Sequence, residues 1–153
     1  MKVSTRGDYA VRVTLELAIS GPGAVVSVSQ LGDRAGVPAK YATQLLRELQ
    51  RRGIVRSQRG PRGGFSLGRE PSEISVGEVI RLMDGPLAPV PCASQTQHMA
   101  CPPGRCHSEE TCVLRDMWLD VRNAIAGILD HTTFADLAHR RRISPGEPAA
   151  YSI

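Results

Sequence analysis

Apolar residues recur along the first fifty positions with the period of an amphipathic helix, and the breaks between them fall at glycine and proline. From Thr5 to Ser20, Tyr9, Val13 and Leu17 stand four apart with Ala10, Thr14 and Ala18 beside them, which predicts one helix with a single inward face. Gly21-Pro22-Gly23 ends it. Ser29 to Ala35 predicts a short second helix capped by Ser27 or Ser29, because a serine hydroxyl accepts from amides that the first turn leaves unpaired. Gly36-Val37 follows as a tight turn. Pro38, tolerated in a first turn, opens a third helix that runs to Arg52 with Leu45, Leu46 and Leu49 inward, and Gly53 closes it. Two helices joined by a short glycine turn predict a helix-turn-helix.

The period changes after Gly53. Ile54-Val55-Arg56-Ser57-Gln58 and Phe65-Ser66-Leu67 are short extended runs on either side of Arg59-Gly60-Pro61-Arg62-Gly63-Gly64, so a β-hairpin is expected. Beside a helix-turn-helix such a hairpin is a wing. Ser75 to Asp84 returns to a helical pattern through Val76, Val79, Ile80 and Met83, and the proline-rich run from Gly85 to Pro91 breaks it. Cys92 to Thr111 has no apolar period and predicts a loop. From Cys112 a long helix is expected, with a seam of Leu114, Trp118, Val121, Ile125 and Ile128 joined by Met117 and Leu129. That seam is long for the little chain left to cover it, which favours a partner helix and a homodimer. Thr133-Phe134-Ala135-Asp136 has the form of a capping box opening a last short helix.

The expected fold is mainly α with a small β wing. Residues 1–84 form a winged helix-turn-helix DNA-binding domain, 85–111 a cysteine-bearing loop, 112–142 a dimerisation helix with a short terminal helix, and 143–153 a flexible tail. With 41% hydrophobic residues the chain can bury a core. No stretch approaches the roughly 20 apolar residues of a membrane span, and the N-terminus lacks the apolar core of a signal peptide, so a cytoplasmic protein is expected.

Charge assigns the two halves different tasks. Through Arg69 there are twelve Lys and Arg against four Asp and Glu, whereas Glu70 onward has seven against eleven. Clustered cations in the first half point to a polyanion, and with a helix-turn-helix that polyanion is double-stranded DNA. The second helix of the motif presents its first residues to base edges, here Lys40, Tyr41, Thr43 and Gln44. Gln44 can pair with adenine, Thr43 can donate, accept or touch a thymine methyl, and Lys40 and Tyr41 can hold phosphates. Arg47 and Arg51 lie further along, toward the backbone. In the wing, Arg59 or Arg62 is placed to enter a narrow minor groove.

Cys92, Cys101, Cys106 and Cys112 are separated by eight, four and five residues, and no other cysteine occurs. In a reducing compartment this clustering points to metal or redox chemistry more than to disulfides. Thiolates suit zinc and iron-sulfur clusters alike, and the spacing leaves both open, as well as sensing by bare thiols. A thiol enzyme built on Cys106, His107 and Cys112 is a remote alternative: adjacent residues are not a geometric dyad, and the wing would have no purpose.

The chain resembles the Rrf-two family of transcription regulators. The likeness is carried by Ser4-Thr5-Arg6-Gly7-Asp8-Tyr9-Ala10-Val11-Arg12, by Leu46-Arg47-Glu48-Leu49 ahead of Gly53-Ile54-Val55, and above all by the stretch from Arg59 to Leu67. It continues from Cys112-Val113-Leu114-Arg115-Asp116-Met117-Trp118 to Leu137. The resemblance implies a winged-helix dimer joined by the long C-terminal helix, acting on a promoter inverted repeat as a repressor. It also implies an iron-sulfur cluster, of 2Fe-2S or 4Fe-4S type, held by three cysteines before and at the start of the dimer helix. Cys106 and Cys112 match the second and third of these, and Cys101 or Cys92 the first, so all four are candidate ligands. Two positions bear on a further ligand. Arg115 stands where the family's cluster regulators carry histidine, and Asp8 stands for the acidic residue near the N-terminus that nitric-oxide-sensing members use; Asp8 from the other subunit and His107 are the reserves. Such a cluster would hold the loop in one arrangement and so shift the spacing of the two recognition helices.

Overall fold

Each helix of the N-terminal half except the third begins where a hydroxyl can cap it. The computed structural model describes residues 3–102, 104, 106 and 108–143. Helix α1 (Thr5–Ser20) is followed by α2 (Val28–Ala35), α3 (Ala39–Arg51), strands β1 (Val55–Gln58) and β2 (Gly64–Leu67), and α4 (Val76–Asp84). Then come α5 (Val113–His131) and α6 (Phe134–Ile143), with 3-10 turns at Pro71–Glu73 and Pro91–Ala93 that no periodicity announces. His107 and residues 144–153 lie outside the described residues; of the expected tail, Ile143 ends α6.

The Ser4 hydroxyl accepts from the Gly7 amide at 3.1 Å, and the Ser4 amide donates to Asp84 at 2.8 Å, which ties the start of α1 to the end of α4. Ser27 caps α2 in a reciprocal box with Gln30, so of the two serines it is Ser27 that serves. Ser75 caps α4 through the Glu78 amide at 3.1 Å. Pro38 precedes α3 as its cap residue, without a side-chain hydrogen bond. Between α2 and α3 the chain turns at Gly36, whose φ of 66° is left-handed backbone that glycine adopts without strain.

The core lies where α1, α2, α3 and α4 meet. Val13, Leu17, Leu31, Leu45, Leu46, Leu49, Ile54, Ile74 and Val79 are fully buried there. The hairpin is antiparallel, in register from Val55 opposite Leu67 to Gln58 opposite Gly64. Val26 pairs with Phe65 through two 2.9 Å hydrogen bonds, and Gly64 lies so close to the Val26 backbone that no side chain would fit. The base of the wing is thereby fixed to the body.

Helix α6 follows the long helix in sequence, yet its buried face belongs to the N-terminal core. Phe134 is fully buried, Ala138 is buried beside it, and both join the cluster that includes α1. Thr133 pairs with Ser75, and the capping box forms: the Asp136 amide donates to Thr133 at 3.2 Å and the Thr133 amide to Asp136 at 2.8 Å.

Helix α5 differs in kind, since none of its 19 residues is buried. Arg81 of α4 holds its C-terminal end through two hydrogen bonds to Asp130, at 2.5 and 2.7 Å. The exposed apolar stripe is Leu114, Met117, Val121, Ala124 and Ile128, at alternating three- and four-residue steps. Trp118, Ile125 and Leu129, counted with the seam from sequence, are half-buried, and Leu129 packs on the core. The helical period rotates them off the stripe toward the helix's own body. Among the described residues no helix is long and apolar enough to cross a membrane.

Candidate nucleic-acid interface and cysteine loop

The first turns of α3 carry Lys40 and Gln44 exposed, with Tyr41 and Thr43 half-buried. The Tyr41 ring meets Tyr9 edge to face, centroids 5.6 Å apart at 81°, which fixes its direction. Thr43 donates its hydroxyl proton to the Ala39 carbonyl at 2.9 Å, leaving its oxygen as an acceptor for a ligand. Gln44, Arg47 and Arg51 share a shallow groove of about 420 Å³ with Arg6 and Tyr41. Arg6 in turn pairs with Glu48 and braces α1 against α3. Gln50 at the end of α3 donates to Ser57 of β1 at 2.9 Å, which sets the wing relative to that helix. Arg59 and Arg62 are exposed at the wing tip, where Gly60 takes a φ of 115°.

Tyr9, Arg6, Glu48, Gln50 and Ser57 were not singled out from sequence as parts of this surface. Their partners lie on other elements, so no local pattern marks them.

The four cysteines are half-buried free thiols. Cys92 lies in the 3-10 turn, Cys101 and Cys106 in the loop, and Cys112 caps the start of α5. The hydrogen bond with Cys112 pushes the Cys106 thiol above its ordinary pKa, and the nearby charge of Cys101 adds to this. Cys112 is pulled down, first by the Arg115 amide and then by the Cys106 thiol. The Cys106 thiol itself donates to the Ser108 carbonyl at 3.2 Å. Glu109 accepts from the Cys101 amide at 2.7 Å and lies 2.9 Å from His98 Nε2; these contacts, in that order, hold its carboxyl below the usual range. Arg115 Nε donates to the Cys92 carbonyl at 3.1 Å. Asp8 sits on α1 and pairs with Arg12 at 2.9 Å, while the capping role falls to Ser4.

Among the described residues no three Cys, His, Asp or Glu side chains converge on one point that would hold a single ion. The fit to an iron-sulfur cluster is one of donor chemistry: four free, half-buried thiols on one segment.

Comparison with known proteins places this geometry. Residues 3–140 match the Rrf2 family model, described as an iron-dependent transcriptional regulator. The chain belongs to the Rrf2 family. It is 32% identical over 152 residues to an rrf2-like HTH-type transcriptional regulator of Rhodobacter capsulatus, covering 97% of this chain and 96% of the relative. Among solved structures it is similar to CymR, the global cysteine regulator of B. subtilis, with 31% identity and a TM-score of 0.75 over 92% of this chain and 98% of that one. It is also similar to IscR of T. potens, with 30% identity and a TM-score of 0.70 over 99% and 97%. An Rrf2 protein is a winged-helix transcriptional regulator and not an enzyme, so the thiol-enzyme alternative falls.

Proposed function

We propose that this Rrf2 protein is a cytoplasmic homodimeric repressor that binds an inverted repeat in duplex DNA, with an affinity set by an iron-sulfur cluster on its cysteine loop. One observation carries the reading. Cys101 and Cys106 lie on the loop that runs into Cys112, the cap residue of the same helix that exposes Leu114, Met117, Val121, Ala124 and Ile128. A stripe at alternating three and four steps is the pattern by which two helices pack together. In this reading the cysteine loop joins the helix that carries the dimer seam, so whatever fixes the loop would act on the relative placement of two α3 helices.

In this reading Lys40 and Tyr41 hold phosphates, Thr43 and Gln44 read base edges, and Arg59 or Arg62 enters the minor groove. Cys101, Cys106 and Cys112 would hold the cluster, with Cys92 or Asp8 of a second copy completing the set. When bound, the cluster would supply a bridge between loop and helix that responds to iron, redox state or nitric oxide. The family's description as iron-dependent supports this.

The Cys106 and Cys112 pair favours a second reading, in which the same loop responds by disulfide formation, the two thiols giving two electrons and two protons to an oxidant.

Binding of a promoter fragment at rising salt tests the DNA-binding core of the proposal. Affinity is expected to fall steeply, since each neutralised phosphate contributes about −0.9 to the slope of log affinity against log salt. Salt-independent binding, or none, would contradict it. Iron, sulfide and zinc assays on anaerobically purified protein separate cluster, zinc and bare thiols.

A further inference from the structure

The loop that carries the thiols has almost no apolar anchor. Between Pro91 and Cys112 only Ala93 and Ser94 are buried among the described residues. Hydrophobic burial therefore does not fix its path, and polar contacts have to.

Among the described residues Ser94 and Ser108 hold amides two or three positions away, and Glu109 and Arg115 make the longer-range contacts. One Glu109 oxygen takes the Cys101 amide at 2.7 Å and the other faces His98 Nε2 at 2.9 Å. Arg115, in the first turn of α5, donates Nε to the Cys92 carbonyl at 3.1 Å and faces the same Glu109 carboxylate at 3.8 Å. The side chains of Arg115 and Glu109 are only 27% and 26% exposed, so water competes with these contacts less than on an open surface. Neither contact uses a sulfur atom.

We propose that Glu109 and Arg115 are positioning residues, a polar latch that holds the backbone at Cys92 and Cys101 against the start of α5. The thiols then stand together before any cofactor or oxidant arrives. The inference rests on reading this loop as the sensing element, but it does not depend on what the thiols hold. It also makes the two members unequal. Losing Glu109 frees the Cys101 amide, whereas losing Arg115 frees the Cys92 carbonyl and leaves Cys101 bonded.

Metal-free, reduced full-length protein provides the test. Hydrogen exchange at the Cys101 amide is expected to speed by about tenfold or more in Glu109→Ala, as for loss of a local opening barrier, and by much less in Arg115→Ala. Glu109→Gln keeps an acceptor and is expected to restore most of the protection. Bridging of two thiols by dibromobimane, relative to single labelling by monobromobimane, is expected to fall roughly tenfold in both alanine variants because misplacing reacting groups by about an ångström is costly. Wild-type exchange and bridging in both variants would overturn the latch. So would faster exchange spread evenly through α1 to α4, the mark of general destabilisation. Because no metal is present, the latch can fail while the cluster reading stands. Conversely, protein that never takes up iron but keeps its exchange protection would defeat the cluster and keep the latch.

Discussion

The N-terminal body and the C-terminal arm are built on opposite terms. Helix α3 buries four of its 13 residues, whereas α5, with 19, buries none. The body closes its own apolar surface, down to a phenylalanine returned to it from α6, so its stability is self-contained. The arm leaves an apolar stripe open and holds its loop with hydrogen bonds. Segments that respond to ligands are drawn from the less stable parts of a fold, and the proposed sensor falls in the part with the least burial.

The largest expected effect lies in the body. Phe134→Ala removes a fully buried ring and is expected to cost about 3 to 5 kcal/mol in denaturant unfolding. A cost below about 1 kcal/mol would mean that α6 is not part of the core. The arm should behave otherwise. Val121→Glu places a charge in the exposed stripe and is expected to leave the body folded while sedimentation shows monomer. DNA affinity is then expected to fall by about a hundredfold through lost bivalency. A variant that stays dimeric would remove the stripe as the seam.

Next come the reading residues. Gln44→Ala is expected to cost about 1 to 3 kcal/mol of binding and to relax preference at one position, whereas Lys40→Ala weakens all sequences alike and lowers the salt slope by about 1. Equal loss on all sequences for both would reassign Gln44 to the phosphates.

The smallest effect concerns the joint between body and arm. The Asp130 pKa is lowered, first by its hydrogen bond to Arg81. A carboxylate with a folded pKa below its unfolded value of about 3.9 stabilises above that pH and loses the contribution as pH falls through the lowered value. Asp130→Asn is therefore expected to lower stability near neutrality by under about 1 kcal/mol, as befits a pair more than a third exposed, with the gap closing below about pH 4. Thermal unfolding across pH measures it, and a gap that persists in acid would point to packing instead.

How much of this was legible in the sequence follows from how local each signal is. The bounds of α1, the inward leucines of α3 and the Thr133 box depend on residues within a few positions and each reads correctly, while the cap of α2 narrows to Ser27 or Ser29 and proves to be Ser27. Which apolar residues of α5 stay exposed, Met117 and not Trp118, depends on which side of the helix the body occupies, and that is not a local signal. The return of Phe134 to the core, the Tyr9 and Tyr41 contact and the Glu109 and Arg115 latch join distant elements, so no periodicity exposes them. In the cysteine loop the spacing singles out candidate donors but not their surroundings. That Cys106 donates to the Ser108 carbonyl while Cys92 is held through its own carbonyl emerges only from the folded chain.

The central claim is that a cluster on the cysteine loop sets the grip of the body on DNA. Wild-type protein, Cys106→Ser and Cys112→Ser, each purified without oxygen, should be compared by visible absorption, iron and sulfide content, and affinity for one inverted-repeat fragment at fixed salt. The expected result is visible absorption with iron and sulfide in the wild type, lost or altered in both variants. Both variants should remain folded dimers with DNA affinity changed by about tenfold, within the usual range of coupling between two sites. Unchanged spectra in both, or equal affinity with and without the absorbing group, would contradict the account.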